Sequence, residues 1–568
     1  MQKTECCVCP LLLCVLIQGN AVAQPEPPQS AISTQTSTQT STSTSTSTST
    51  STSTSTSTST SKVAGKIVVV NHAIFDESLP DAFFIHRWAN YLHINTRDFV
   101  VLNKLPFKEG ERITQKDLDE VQRLLRAEPY FRDARLSFTP KDPTVAGLPT
   151  EQAVLIETWD NWSLLPTINF SSNGGESKYS VGMKEDNLLG LGVRTLVKYQ
   201  SDAERSGYQF AFEAPLNVIP YSTLSADFHD NSDGQATHVR FLKPFHTLDS
   251  RDLYGVEFLD GRRIDTLKQN GKDINEFEHA IDYLNLSYGR LLSKENAHLS
   301  RFILGATRDK HEFDNIADYP DSPLPRDRDF LYPWLAYEYL NDDFRVLNNV
   351  HLISTNEDFN LGWHHYVQLG LELQDTKDGL PGLHLDWRTQ RGYQDKQELL
   401  LLEFLGSALF NTRQKDFYNL SVQAEYFYHI GPKWTAYSKA RLSSSRHNFL
   451  DNTFALGDET GVRGYPNDYQ HGDNQWLFTQ ELRYYPNINL YQFAELGWAA
   501  FIDVGQALGG PDDNNETSGP IGSLGIGARL YSSHSSYGNV AHIDLTFPFT
   551  QGDEVNGWGW RVLVRTRF

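Results

Sequence analysis

The sequence predicts a transmembrane antiparallel β-barrel of about 16 strands, preceded by one small α+β domain. Three observations carry this. Helical periodicity is confined to residues 64–161. From 162 to 568, short segments alternate apolar and polar residues and are separated by Gly, Asn, Asp and Pro. No stretch of the chain holds the ~18 consecutive apolar residues that a membrane helix needs, so a membrane could be crossed only by strands.

The first 23 residues read as a secretory signal peptide. Lys3 lies near the start, PLLLCVLI forms the apolar run, and AVA at 21–23 offers a small-x-small cleavage site after Ala23. The run is far shorter than the ~20 residues of an anchor helix. A lipoprotein signal would want a small residue where Leu13 precedes Cys14. All four cysteines (Cys6, Cys7, Cys9, Cys14) fall in this leader, so the exported chain has no disulfide and no thiol chemistry.

Residues 24–63 are Pro/Gln-rich and then alternate Ser and Thr. Such a segment cannot bury a core and reads as a disordered tether without chemistry.

Residues 64–161 read as β-α-α-β-β. KIVVV is a strand. LPDAFFIHRWANYL places Phe83, Phe84, Trp88 and Leu92 on one helical face. The second helix opens on Thr114, with Asp117 three residues on, and runs Leu118, Val121, Leu124, Leu125 at helical spacing. FRDARLSF and AVLIETW alternate as strands.

The remaining ~400 residues have room for about 16 strands of about ten residues with their connections. The last strand is the cleanest. In WGWRVLVRTRF, Trp558, Trp560, Val562, Val564, Thr566 and Phe568 share one face, and Gly559, Arg561, Leu563, Arg565 and Arg567 share the other. A soluble sandwich strand also alternates. Three arginines opposite two tryptophans suit a wet lumen and a lipid face better.

One loop stands apart. GVRGYPNDY, residues 461–469, carries a fixed charge among small and aromatic residues, and alternating segments follow at about 474–485, 496–506, 521–532, 538–549 and 556–568. In the first two, Leu477, Thr479, Glu481 and Arg483, then Phe501, Asp503 and Gly505, fall on the lumen face. An arginine folded into the lumen would meet Glu481 and Asp503, and its planar fork can hold carboxylates bidentately. Gly464 lets the backbone turn, and Tyr465 can wedge against the wall. The residues alone leave a second reading open, in which Arg463 sits in an exposed turn.

These features resemble the superfamily of outer-membrane protein insertases and two-partner-secretion transporters, the BamA/TamA type, over about 64–568. VRGY at 462–465 is similar to that family's loop motif, FIDVG at 501–505 to its strand motif, and GMKEDNLLGLG at 182–192 to a turn early in its barrel. The 64–161 domain resembles its POTRA domains, and five strands after the loop is the family's count. The resemblance implies a 16-stranded barrel and a lumen loop held by Arg463 on Asp503 and Glu481. It also implies client outer-membrane or secreted proteins, outer-membrane lipid and periplasmic accessory proteins as partners. The expected place is the bacterial outer membrane, with the POTRA domain in the periplasm. The chain departs from the family in having one POTRA domain where members carry several, and a Ser/Thr tether where two-partner transporters often carry a plug helix.

Enzyme chemistry is not expected. GSLG at 522–525 lacks the spacing of a nucleophile elbow, and the neighbours His364 and His365 point to opposite faces of a strand. Acidic stretches such as LPRDRDF and PDDNNE are usually just solvated. No cofactor, metal or catalytic residue is expected, and the net charge of −21 argues against nucleic acid. The expected function is insertion or translocation of client proteins. The alternatives are a passive pore or non-protein transporter, and a barrel enzyme.

Overall fold

The computed structural model describes residues 61–80, 82–139, 151–173, 176–202, 204–316, 323–510, 513–536, 540–550 and 552–565. The leader, nearly all of the tether and Phe568 lie outside the described residues.

The first unit runs β1 (Lys62–His72), α1 (Phe84–Leu92), α2 (Asp98–Leu102), β2 (Arg112–Ile113), α3 (Gln115–Arg126), β3 (Phe131–Phe138) and β4 (Glu151–Asp160). Its sheet order is β2-β1-β4-β3, with β1 and β4 parallel. The first strand begins at Lys62, inside the range read as tether. α3 starts on a reciprocal cap: Thr114 N donates to Asp117 Oδ2 at 2.7 Å, and Asp117 N donates to Thr114 Oγ1 at 3.3 Å. Leu118, Val121 and Leu125 of α3 pack with Val101, Phe131, Val154 and Ile156 in the core.

The apolar stripe of α1 does not join that core. Phe84, Trp88 and Leu92 are 69%, 57% and 51% exposed, whereas Phe83, at the head of the stripe, packs on Tyr491 and Phe493 where the helix docks on the barrel. There His86 donates from Nε2 to the Tyr491 carbonyl at 2.8 Å, and its ring packs on Phe75 and Phe493.

The barrel strands are β5 (Leu164–Asn173), β6 (Glu176–Glu185), β7 (Arg194–Ser201), β8 (Ser206–Leu216), β9 (Ser222–Asn231), β10 (Gly234–Lys243), β11 (Asp252–Gln269), β12 (Lys272–Glu295), β13 (His298–Asn315) and β14 (Arg328–Asn341). A separate hairpin follows, β15 (Phe344–Asn348) and β16 (Asn356–Asn360). The wall resumes with β17 (His364–Lys377), β18 (Leu380–Asp395), β19 (Glu398–Phe410), β20 (Phe417–Gly431) and β21 (Trp434–Arg446). A small ladder, β22 (Ala455–Leu456) with β23 (Gln470–His471), sits in the next loop. β24 (Asn474–Leu490), β25 (Ala494–Leu508), β26 (Ile521–Tyr531), β27 (Val540–Pro548) and β28 (Gly559–Arg565) complete the wall.

Among the described residues the wall is a closed antiparallel barrel of 20 strands, which corrects the expectation of about 16. That expectation divides the length evenly among strands and generous connections. Connections of two residues, such as 270–271, 296–297, 378–379 and 396–397, fit more strands into the same length. The five strands after the loop fall where the alternation places them. The barrel closes where β28 meets β5. Among the described residues that seam has one register pair, Val562 with Ser172, whereas β27 and β28 share a run from Val540–Arg565 to Thr546–Gly559.

The α+β unit caps one end of the barrel. Arg97 N donates to the Gly190 carbonyl at 3.0 Å, Tyr221 Oη to the Leu105 carbonyl at 2.9 Å, and His246 Nε2 to the Lys104 carbonyl at 3.0 Å. Gly190 lies in the 182–192 stretch and has φ +73°; a Cβ there would sit 2.4 Å from the Asn95 carbonyl oxygen.

His246 makes this docking pH-sensitive. Burial lowers its pKa from 6.5 to about 4. The unfolded or undocked ring takes a proton first, so the contact contributes fully above pH ~6.5 and loses its contribution as pH falls towards 4. Hydrogen exchange around Lys104 should therefore speed up on going from pH 7 to pH 5, after correction for intrinsic rates. His246→Phe, which keeps the stacking on Tyr221, should remove that difference.

Candidate functional site

The lumen is occupied by two segments of the chain, one entering from each end. Loop 447–473, between β21 and β24, folds inward from the end opposite the α+β unit. Inward-facing Leu477, Ala507 and Ile521 form an apolar seat that buries Leu456, Val462, Tyr465 and Tyr469 of the loop. Tyr465 Oη donates to the Gly522 carbonyl at 2.9 Å.

Arg463 is 4% exposed and stands among the residues singled out in the sequence. Its Nε and Nη2 donate to the two oxygens of Asp503 at 2.6 and 2.9 Å, and Nη1 donates to Glu481 Oε1 at 2.8 Å. The guanidinium lies 3.5 Å from the Phe501 ring centroid. Thr479 Oγ1 donates to Asp503 Oδ1 at 2.8 Å. Strand parity explains this convergence. Thr479 and Glu481 on β24, and Phe501 and Asp503 on β25, all have the inward parity, and Thr479 is the register partner of Asp503. Trp560 is outward on β28 and 39% exposed, and Trp558 just precedes that strand and is 62% exposed.

Gly464 has φ +88°, and a Cβ there would lie 2.7 Å from Thr546 Oγ1. Gly464→Ala therefore combines a strained backbone with a clash and should weaken the seat by about 1–3 kcal/mol. Limited proteolysis of the folded protein should then cut within 447–473 where the wild type resists.

A second ion-pair network, running from Asp458 of the loop through Arg561 and Asp544 to Arg529, is not paired in the sequence reading. Asp458 accepts from Gly464 N at 2.7 Å and from Arg561 Nε at 2.6 Å. Arg561 Nη1 reaches Asp544 at 3.3 Å, and Arg529 Nη1 reaches the other Asp544 oxygen at 2.5 Å. The loop is thus clamped to β28, the strand at the seam. The inward parity of Arg561 is legible in the sequence; its partner in a loop far earlier in the chain is not.

The second segment is the β15–β16 hairpin, which enters from the end capped by the α+β unit. Its tip residues Leu352 and Ile353 pack on Tyr485, Tyr531 and Val540, and its stem packs on Leu399, Phe427 and Tyr437. Glu357 holds the tip in shape, accepting from Val350 N, His351 N and Leu352 N at 3.0, 2.9 and 3.2 Å.

The two segments meet through one carboxylate. Arg483 donates from Nη1 to the Val350 carbonyl at 3.1 Å and from Nε to Glu481 Oε2 at 2.9 Å. Glu481 is therefore shared between Arg463 of the loop and Arg483, which holds the hairpin. At its base the hairpin is tied to the α+β unit. Arg126 of α3 grips Asp358 at 3.0 and 2.6 Å, with both side chains buried, and Lys116 pairs with Asp342. A continuous chain of polar contacts runs from α3 through the hairpin to the loop.

The histidine neighbours part as expected: His364 bonds Glu338 and His365 bonds Thr389.

Residues 366–530, from β17 to β26, match the family model described as haemolysin secretion/activation protein ShlB/FhaC/HecB. That match falls in the superfamily that the sequence resembles and covers less than a third of the chain; the barrel is an outer-membrane barrel. The matched segment contains Arg463, Glu481 and Asp503. No curated protein matches the chain in sequence. Among solved structures, CdiB from Escherichia coli aligns at 11% identity over 91% of this chain and 92% of its own, with a TM-score of 0.47. CdiB from Acinetobacter baumannii aligns at 12% identity over 89% and 74%, with a TM-score of 0.42. BamA from Haemophilus ducreyi lacking POTRA domains 1–3 aligns at 11% identity over 89% and 84%, also with a TM-score of 0.42.

Proposed function

We propose that the protein moves client polypeptides across, or into, the outer membrane, with the α+β unit acting as a periplasmic POTRA domain. The observation that carries this reading is the occupied lumen. Two segments of the chain enter it; Arg463, Glu481 and Arg483 link the loop to the Val350 carbonyl of the hairpin, and the buried Arg126–Asp358 pair ties the hairpin to the α+β unit. A path plugged in this way suits an intermittent, bulky cargo that must displace the plugs; a solute pore would not need them. The family match supports a polypeptide cargo, and a non-catalytic role belongs to the same reading.

In this mechanism an extended client segment adds to the open side of β3, the edge of the sheet. Movement of α3 breaks Arg126–Asp358 and releases the hairpin. Loss of the Val350 contact lets Arg483 turn. Glu481 then holds the loop less firmly, and the lumen clears. The seam between β28 and β5, with one register pair among the described residues, offers a lateral exit to lipid, since a fully paired barrel has no strand edge to offer.

The seam tests the lateral route. The chain after residue 14 lacks cysteine, so Ser172→Cys with Val562→Cys creates one clean pair at registered positions. Oxidation should stop delivery of clients into the membrane, and reduction should restore it. Full delivery with the seam locked would exclude the lateral exit. Steady conductance of the wild-type barrel in a planar bilayer without client would instead favour a passive pore.

A further inference from the structure

A second polar cluster lies seven to eight strands round the wall from β24, on β13 and β12. His279 and His311 are distant in sequence, but the register sets His279 opposite Phe313 and Ile281 opposite His311. Both rings therefore point into the lumen on a diagonal, and His279 Nε2 lies 2.8 Å from His311 Nδ1.

The outer nitrogen of each ring faces a carboxylate. His279 Nδ1 lies 2.6 Å from Asp265 Oδ2, and His311 Nε2 lies 2.9 Å from Asp309 Oδ1. An ionised carboxylate only accepts, so both outer nitrogens carry the proton. In neutral rings the two inner nitrogens then present lone pairs to each other at hydrogen-bond distance. Something positive must lie between them: a third proton or a metal ion.

Asp451, from the inward loop, supplies a third donor. One of its oxygens and one nitrogen of each ring all lie within 4.8 Å of one another. Arg328 fixes this carboxylate at 3.0 and 2.7 Å, and Arg263 fixes Asp265 at 2.5 and 3.0 Å.

We propose that His279, His311 and Asp451 bind a divalent transition metal of the zinc type, with Asp265 and Asp309 orienting the rings. Imidazole nitrogens with the opposite N–H held by a carboxylate are the usual arrangement of metal-ligating histidine. Bond lengths of ~2.0–2.1 Å at a tetrahedral angle set the two nitrogens about 3.3 Å apart, so the rings part by about half an ångström on binding. Three protein ligands leave a fourth position for water. Because Asp451 belongs to the loop and the histidines to the wall, the ion would tie the loop down on the side of the lumen away from Arg463.

The test uses the full-length barrel in detergent, stripped with chelator and dialysed against zinc chloride. The wild type should bind one zinc per chain, with a Kd in the micromolar range or tighter, and its Tm should rise on binding. His311→Ala should weaken binding at least tenfold. Asp451→Asn leaves the barrel wall intact and should also weaken binding at least tenfold, which keeps the test valid if the histidine variant folds poorly. Failure of the wild type to bind, or equal binding by wild type and Asp451→Asn, would overturn the proposal and leave a proton-bridged histidine pair.

Discussion

Arg463→Ala releases the inward loop. The substitution leaves Asp503 buried with Thr479 as its remaining bonded side chain, while Glu481 keeps Arg483. Removing one partner of a buried, hydrogen-bonded ion pair costs on the order of 3–5 kcal/mol, mostly because the other charge stays uncompensated. That is enough to loosen the inner part of the loop, around 458–465, although the apolar seat, Asp458 on Arg561 and Asp451 on Arg328 remain. The barrel wall keeps its own ladder, so the variant should still fold and show normal heat-modifiability in electrophoresis. Protease should cut at 447–473, and client export should fall to the level of a deletion. Arg463→Lys should be intermediate, because one ammonium cannot grip Asp503 with two parallel bonds and reach Glu481 as well. Adding Asp503→Asn to Arg463→Ala should recover part of the lost stability, since it removes the orphaned charge.

Deleting the hairpin opens the barrel. Replacing residues 343–361 by a short turn removes the tip that packs on Tyr485, Tyr531 and Val540 and the stem that packs on Leu399, Phe427 and Tyr437. None of the removed residues belongs to a wall strand, so the barrel should assemble. In planar bilayers the wild type should be mostly closed, and the deletion should conduct steadily, with a rise of at least tenfold in mean current. Arg126→Ala breaks only the tie between α3 and Asp358. It should give brief openings rather than a steady state, because the tip contacts remain. A deletion as silent as the wild type would show that the loop alone closes the lumen.

Much of the loop site is legible in the amino-acid sequence. Strand parity is a strict period of two, so Glu481 and Asp503 must share a face once the strands are placed. The short-range cap on α3 is equally legible, because Thr114 and Asp117 are three residues apart. The strand count is not, since an average length per strand hides the two-residue turns. The hairpin escapes for a related reason. A half-buried hairpin inside a lumen alternates like a wall strand, and parity does not say which of the two a segment joins. Asp458 with Arg561, and His279 with His311, depend on register or on where a loop lands. Neither leaves a local signal. Phe84, Trp88 and Leu92 do share one face, but periodicity does not say what that face meets.

The most direct test of the proposed function is the protein content of outer membranes and culture medium from four strains: wild type, a deletion, and the deletion complemented with wild-type protein or with Arg463→Ala. One or more client proteins should be lost from membrane or medium on deletion, restored by the wild type, and not restored by Arg463→Ala made at equal level. An unchanged protein composition in the deletion would contradict the proposed function. Full restoration by Arg463→Ala would show that Arg463 is a structural brace outside the transport cycle.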